Sequence, residues 1–257
     1  MEQIRTFKED RKAVIVLNQP QKRNALSPRM IEELTQAFHD YREASDVKVI
    51  VLRAEGTTFC AGADLAFLQQ LQQYGYEENV ADSSALRDLY YLINTCPKPV
   101  IAEVQGHAIA GGCGLITVCD FVFAVADAKF GYTEVRIGFI PAIVMSFLVR
   151  RIGEGHARRL LLSGELIEGI EAFELGLVTR IVERDSLTSA VEDFAKQLIK
   201  NNSGEAMKMT KQMLTDIQPM TLNEALSHGV EMNAKARATP DCLRGIDAFL
   251  RKQNLEW

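Results

Sequence analysis

The strongest constraint on this chain is a recurring order, in which an apolar run gives way to a small-residue turn and then to a helical pattern. Val47 to Leu52 leads through Arg53 to Thr58 into Phe59-Cys60-Ala61-Gly62-Ala63-Asp64-Leu65. Val100 to Val104 leads into a glycine-rich turn at Gly106 to Gly114 and then the apolar run Leu115 to Val118, and Phe121 to Val125 leads to Glu134. Short apolar runs bounded by turn residues read as buried strands. Strand, strand and helix therefore recur from Ile4 to about Arg180, and an α/β fold is expected.

Gly111, Gly112 and Gly114 lack side chains, so another molecule can approach the main-chain N–H groups there. Free N–H groups at a helix start attract negative charge. Such a turn can hold a substrate oxygen that becomes negative in a transition state. A second set of donors is expected at Ala63, where Gly62 leaves room for a ligand. Glu134 is then the nearby acid that moves a proton while those donors stabilise an enolate. Taken alone, three glycines in four residues also serve tight turns and close helix packing.

At 257 residues the chain is long enough for a large core. The net charge of −5 argues against a general nucleic-acid binder, which presents a basic face. Five cysteines, with no C-x-x-C pair, suggest neither a disulfide framework nor a zinc site, and reduced, buried thiols are expected. The start of the chain, Met1 to Arg11, is polar, and no apolar run approaches the ~20 residues that cross a bilayer, so a cytoplasmic protein without membrane insertion is expected. The four histidines are scattered, and His107 reads as structural.

In chain order, Ile4 to Phe7 and Ala13 to Leu17 suggest a hairpin. Ser27 with Pro28 starts a helix whose apolar face is Ile31, Leu34, Phe38 and Tyr41. Ala66 to Asp82 has no firm period and reads as a mobile lid or irregular helix, after which Leu86, Leu89, Tyr90 and Ile93 restore helical spacing. The run Ile137 to Pro141 is expected to turn into an amphipathic helix through about Arg151, and Glu154 to Leu162 to make another. Thr221 and Glu224 form a capping-box pattern, and Thr239-Pro240 restarts the chain into a last helix.

These features together resemble the crotonase (enoyl-CoA hydratase/isomerase) superfamily over essentially the whole chain. Asn18 to Leu26 is similar to its N-x-P-x-x-x-N-A-L loop and Phe59 to Leu65 to its F-x-A-G-A-D-L turn. Gly106 to Gly114 is similar to its glycine-rich turn, and Gly176-Leu177-Val178 and Ala248-Phe249-Leu250 to later elements. The resemblance implies a spiral of β-β-α turns over residues 1–195 and a helical region over 196–257 that makes homotrimers or hexamers. It implies an acyl-CoA thioester as substrate, with no separate cofactor and no metal. The thioester oxygen is then held by the N–H groups of Ala63 and Gly111. CoA contacts are implied at Lys22 and Arg23, with Ala25, Ala61, Asp64, Leu65 and Gly114 at the substrate, and Phe249 and Lys252 closing over the CoA.

One departure stands out. Hydratases of the family carry two glutamates twenty residues apart, and the first position here is Gly114, which leaves Glu134 alone. Hydration of a 2-enoyl-CoA is the expected reaction. Migration of a 3-enoyl double bond, hydration of a branched methylglutaconyl-type ester with Gly114 making room for the acyl group, and non-catalytic binding of a CoA ester stay open. Glu77, Glu78, Asp82 and Tyr90 are available to hold water.

Overall fold

The computed structural model describes residues 2–257; Met1 and the side chain of Leu65, expected at the substrate, lie outside the described residues. Strands β1 (Ile4–Glu9) and β2 (Lys12–Leu17) form an antiparallel hairpin in register Ile4↔Leu17. Asp10 and Arg11 close it at φ 46° and 62°, the backbone that a two-residue hairpin turn demands. Helix α1 (Pro28–Glu43) begins where expected, with the Ser27 hydroxyl accepting from the Met30 N–H at 3.1 Å.

Three β-β-α turns follow. The first is β3 (Val49–Ala54), β4 (Thr58–Cys60), α2 (Leu65–Leu71) and α3 (Tyr76–Asn94). The second is β5 (Val100–Val104), β6 (His107–Ile109) and α4 (Gly111–Thr117). The third is β7 (Phe121–Ala124), β8 (Lys129–Gly131) and α5 (Ala142–Ser163), with Glu134–Ile137 in a tight 3-10 turn between β8 and α5.

The first strand of each turn joins a six-stranded sheet in the order β1-β2-β3-β5-β7-β10, where β10 is Arg180–Ile181. The second strand joins a four-stranded sheet in the order β4-β6-β8-β9, where β9 is Ile167–Glu168. Strands β3, β5 and β7 are parallel, and so are β4, β6 and β8. The chain thus coils as the expected spiral.

Packing explains why the coil is stable. Val14, Ile15 and Leu17 on β2, Val49 to Leu52 on β3, and Val100 to Ala102 on β5 have no exposed surface. Strands covered on both faces read as continuous apolar runs, and full burial of each large side chain is worth about 2 kcal/mol. Four of the five cysteines are buried and all are free, and burial pushes the Cys60, Cys113 and Cys119 thiols up to about 12.

The segment expected to be an irregular lid is two ordered helices. The Asp64 carboxylate accepts from the N–H groups of Ala66 and Phe67 and so caps α2, while the Glu78 carboxylate accepts from the Gly75 N–H at the head of α3. The two helices expected between Pro141 and Leu162 run on as α5, with a break at Gly153, whose φ of 78° and ψ of 159° are non-helical. Helix α6 (Gly169–Glu174) precedes β10, and α7 (Leu187–Asn201) carries its buried stripe Leu187, Val191, Ala195 and Leu198 across the expected boundary at 195.

Helices α8 (Gly204–Asp216), α9 (Leu222–Arg237) and α10 (Pro240–Leu250) complete the chain. Thr221 and Glu224 form the expected capping box. No described helix is long and apolar enough to cross a membrane.

Candidate active site

Because β4, β6 and β8 are parallel neighbours, their C-terminal ends lie side by side. The three strand-to-helix handovers that follow them carry Ala63, Gly111 and Glu134. Crevices outside the carboxyl ends of parallel strands are where open α/β sheets bind ligands.

The first handover is fixed by the loop before α1. Leu26 donates its N–H to the Gly62 carbonyl at 2.7 Å and accepts from the Asp64 N–H at 3.1 Å, in a parallel bridge to Ala63. In such a bridge the middle residue turns its own N–H the other way, so the Ala63 N–H faces away from Leu26. Asn24, fully buried at φ 52°, pins the same loop by donating to the carbonyls of Glu55 and Thr58 and accepting from the Gln19 N–H.

The second handover lies against the first. A Cβ built on Gly62 would stand 3.0 Å from both the Ala110 Cβ and the Ile109 carbonyl oxygen, and 3.6 Å from the Gly111 nitrogen. A Cβ on Gly112 would strike the Cys60 carbonyl oxygen at 2.3 Å. Glycine at these positions is therefore what lets the two turns touch. Ala110 precedes α4 at φ 49° and ψ −123°, a strained backbone for an L-residue, and Gly111 follows as the first residue of the helix, where N–H groups have no partner within the helix.

Glu134 opens the 3-10 turn after β8, and its Oε2 is buried with no hydrogen-bond partner. Burial lifts the carboxyl above its ordinary value, and a bond from its own N–H offsets part of that lift. A carboxylate held this way is a stronger base than a solvated one and has a free oxygen for a proton.

The space beside Gly114, expected to make room for the acyl group of a methylglutaconyl-type ester, is filled. A Cβ there would meet the Tyr90 hydroxyl at 2.3 Å and its ring at 2.7 and 2.9 Å. Tyr90, 1% exposed on α3, fills that place and donates to the Gly111 carbonyl at 2.6 Å. Burial first, then the neighbouring Cys60 and Glu134, push the phenol well above 10, so it stays neutral. Sequence periodicity put Tyr90 in a core stripe with Leu86, Leu89 and Ile93. Its hydroxyl, expected among the groups available to hold water, instead takes the Gly111 carbonyl as the partner that a buried phenol needs.

The remaining expected residues divide. Lys22 is exposed and pairs with Asp64 at 3.0 Å, and Arg23 is exposed beside it at φ 52°. Ala25 is buried and Ala61 is half-buried, donating its N–H to the Arg23 carbonyl at 3.0 Å. The Asp64 carboxylate is occupied by the α2 cap and Lys22, which together hold its pKa down against burial. Phe249 is 82% exposed on α10, with Lys252 just beyond it, and α10 packs on α8 and α9. Of the candidates for holding water, Glu78 is taken by its cap and Asp82 is half-buried with its carboxyl raised by burial. His107 accepts from the Lys129 N–H, the expected structural role. Two hollows of about 770 and 690 Å³, sharing Arg11, Lys48, Gly204 and Glu205, include none of Ala63, Gly111 and Glu134.

An α/β spiral of β-β-α turns, with the Ala63 and Gly111 turns in contact at neighbouring strand ends and an unpartnered acid at Glu134, defines the class of the fold. Comparison with known proteins agrees. The sequence model of the enoyl-CoA hydratase/isomerase family matches residues 8–257. The chain is 42% identical over 241 residues to the "Putative enoyl-CoA hydratase" of Thermus thermophilus, covering 94% of this chain and 95% of that one. It is 32% identical to the crotonyl-CoA hydratase of Syntrophomonas wolfei, covering 96% and 94%. An enoyl-CoA hydratase crystal structure from Mycobacterium smegmatis superposes with a TM-score of 0.95 at 30% identity, over 100% of this chain and 99% of that one. The chain belongs to the enoyl-CoA hydratase/isomerase family, in the crotonase superfamily.

Proposed function

We propose that the chain is an enoyl-CoA hydratase that adds water across the 2,3 double bond of a 2-enoyl-CoA thioester. The carbonyl oxygen lies between the N–H groups of Ala63 and Gly111. As water attacks Cβ, charge develops on that oxygen, and preorganised donors are then worth roughly 10²–10³-fold in rate each. The proton lost by water passes to Glu134, and Glu134 delivers a proton to Cα. The product is a 3-hydroxyacyl-CoA, and the reverse reaction removes the water.

The observation that carries this reading is the free, buried Oε2 of Glu134 beside two turns that touch through Gly62 and Gly112. Glu134 opens the cycle as the carboxylate, and the chemistry calls for no cofactor or metal beyond the thioester itself.

A double-bond shift is the second reading, favoured by the absence of an acid at Gly114. In it Glu134 takes the Cα proton of a 3-enoyl-CoA and returns it to Cγ, leaving the 2-enoyl ester. A methylglutaconyl-type substrate loses the argument from space at Gly114, which Tyr90 fills.

Lys22 and Arg23 are the groups proposed for the CoA phosphates. The exposed apolar side chains of α9 and α10, among them Leu222, Val230, Ile246 and Phe249, support self-association into a trimer or hexamer.

The test is turnover. Loss of the conjugated enoyl-thioester absorbance with a short 2-enoyl-CoA is expected, and Glu134→Gln should abolish it while CoA-ester affinity stays within about 3-fold. Appearance of that absorbance with a 3-enoyl-CoA alone would favour the isomerase. Tight binding of both esters with turnover of neither would leave a CoA-ester binder.

A further inference from the structure

Gly114 and Tyr90 form a matched pair. The direction in which a side chain at 114 would project is occupied by the Tyr90 phenol, with a hypothetical Cβ only 2.3 Å from its oxygen. The hydroxyl does not end in that space. It donates at 2.6 Å to the carbonyl of Gly111, the residue whose own N–H is one of the two donors proposed for the thioester oxygen. A Cβ on Gly111 would likewise stand 3.5 Å from the same hydroxyl. The Phe147 ring on α5 backs the phenol edge-on, with centroids 6.4 Å apart. A single buried side chain from α3 is thereby fixed against the start of α4.

We propose that Tyr90 is a positioning residue for the oxyanion turn: its hydroxyl anchors the Gly111 carbonyl, on the peptide next to the one that carries the Gly111 N–H, and its ring closes the direction left free at Gly114. The proposal deepens the thioester reading above and rests on it. Two consequences follow for the chemistry. Helix α4 offers only two turns of backbone to hold Gly111 in place, and Ala110 before it is strained, so the turn needs an outside anchor. The phenol also excludes water and acyl atoms from the Gly114 side, which leaves Glu134 as the acid facing the reacting carbons.

The experiment uses the full chain and Tyr90→Phe, which keeps the ring against Gly114 and removes only the hydroxyl. With a short 2-enoyl-CoA, kcat is expected to fall about 10- to 100-fold, the loss that a misplaced catalytic group of this kind produces, with KM within about 2-fold. Binding is read separately with a conjugated aryl-acryloyl-CoA, whose absorbance moves to longer wavelength when its carbonyl is polarised. That red shift should shrink in Tyr90→Phe. Gly114→Ala, which pushes the hydroxyl without removing it, should shrink it as well.

A wild-type rate or an undiminished red shift in Tyr90→Phe would overturn the assignment, as would a loss confined to KM. If the wild-type chain turned over no enoyl thioester yet still shifted the probe, the hydratase reading would fail while the Tyr90 comparison still decided the positioning role. A wild type that bound the probe without any red shift would overturn the positioning role too. Circular dichroism and the melting temperature check that each variant is folded.

Discussion

Gly112 lies flat against Cys60, so closely that one added methyl group would stand 2.3 Å from the Cys60 carbonyl oxygen and 2.7 Å from its Cβ. Backbone cannot give way as a flexible side chain can. Gly112→Ala must therefore push α4 off the end of β4 and part the turns that carry Ala63 and Gly111. Overpacking of this kind costs about 1–3 kcal/mol, and a displacement near 1 Å at an oxyanion site costs roughly 10²-fold in rate. Thermal unfolding together with kcat/KM on a 2-enoyl-CoA measures both; a variant matching wild type in each would remove Gly112 from the account.

The far end of α4 makes a second prediction. The half-buried Arg151 guanidinium donates to the carbonyls of Thr117 at 3.0 Å, Cys119 at 2.5 Å and Leu177 at 3.2 Å. It satisfies carbonyls at the C-terminus of a short helix, where positive charge is favourable. Arg151→Met would strand those carbonyls, and a loss of about 3 kcal/mol is expected from hydrogen bonds to a charged group. Arg151→Lys should recover only part of it, since an ammonium lacks the planar fork. Denaturant titration of the three proteins decides the matter, and equal midpoints would refute it.

Asn24 holds the loop that bears Lys22 and Arg23. Its side chain makes three hydrogen bonds to backbone, at 2.8, 2.9 and 2.9 Å, from a left-handed conformation that asparagine tolerates better than most residues. Asn24→Ala should cost about 2–3 kcal/mol, and on the proposed reading, in which Lys22 and Arg23 take the CoA phosphates and Leu26 holds the Ala63 turn, it should raise KM for the CoA ester as well as lower kcat. A kcat loss at unchanged KM would contradict the part given to Lys22 and Arg23.

Much of this was legible in the residues. Apolar runs such as Val100 to Val104 are buried on both faces, and such strands announce themselves without needing alternation. The Ser27-Pro28 and Thr221 starts were equally plain, because a cap is a local signal. Two features were not. The order in Ala66 to Asp82 comes from single contacts, Asp64 to Ala66 and Phe67, and Glu78 to Gly75, that periodicity does not record. The partnership of Tyr90 with Gly114 joins residues 24 positions apart on different helices, and only their meeting in space turns an apparent gap into a filled one.

Glu134 makes the last prediction, and its sign follows from burial. Burial raises the folded-state pKa of this carboxyl above its unfolded value near 4.5. Between those two values the folded chain binds more protons than the unfolded one, so stability falls as pH rises through that window. Above the raised value the whole penalty of holding a desolvated carboxylate is present. Glu134→Gln carries no charge to desolvate, and its melting temperature should exceed that of wild type at neutral pH, with the difference closing as pH falls toward about 4.5. Activity should move the opposite way. On the proposed mechanism the cycle begins with the carboxylate, so the acid limb of the wild-type rate profile should lie above the ordinary glutamate range, and Glu134→Gln should show neither the limb nor the rate. A variant that melts below wild type at neutral pH, or a rate profile that falls only below pH 4.5, would mean that Glu134 is neither desolvated nor the base.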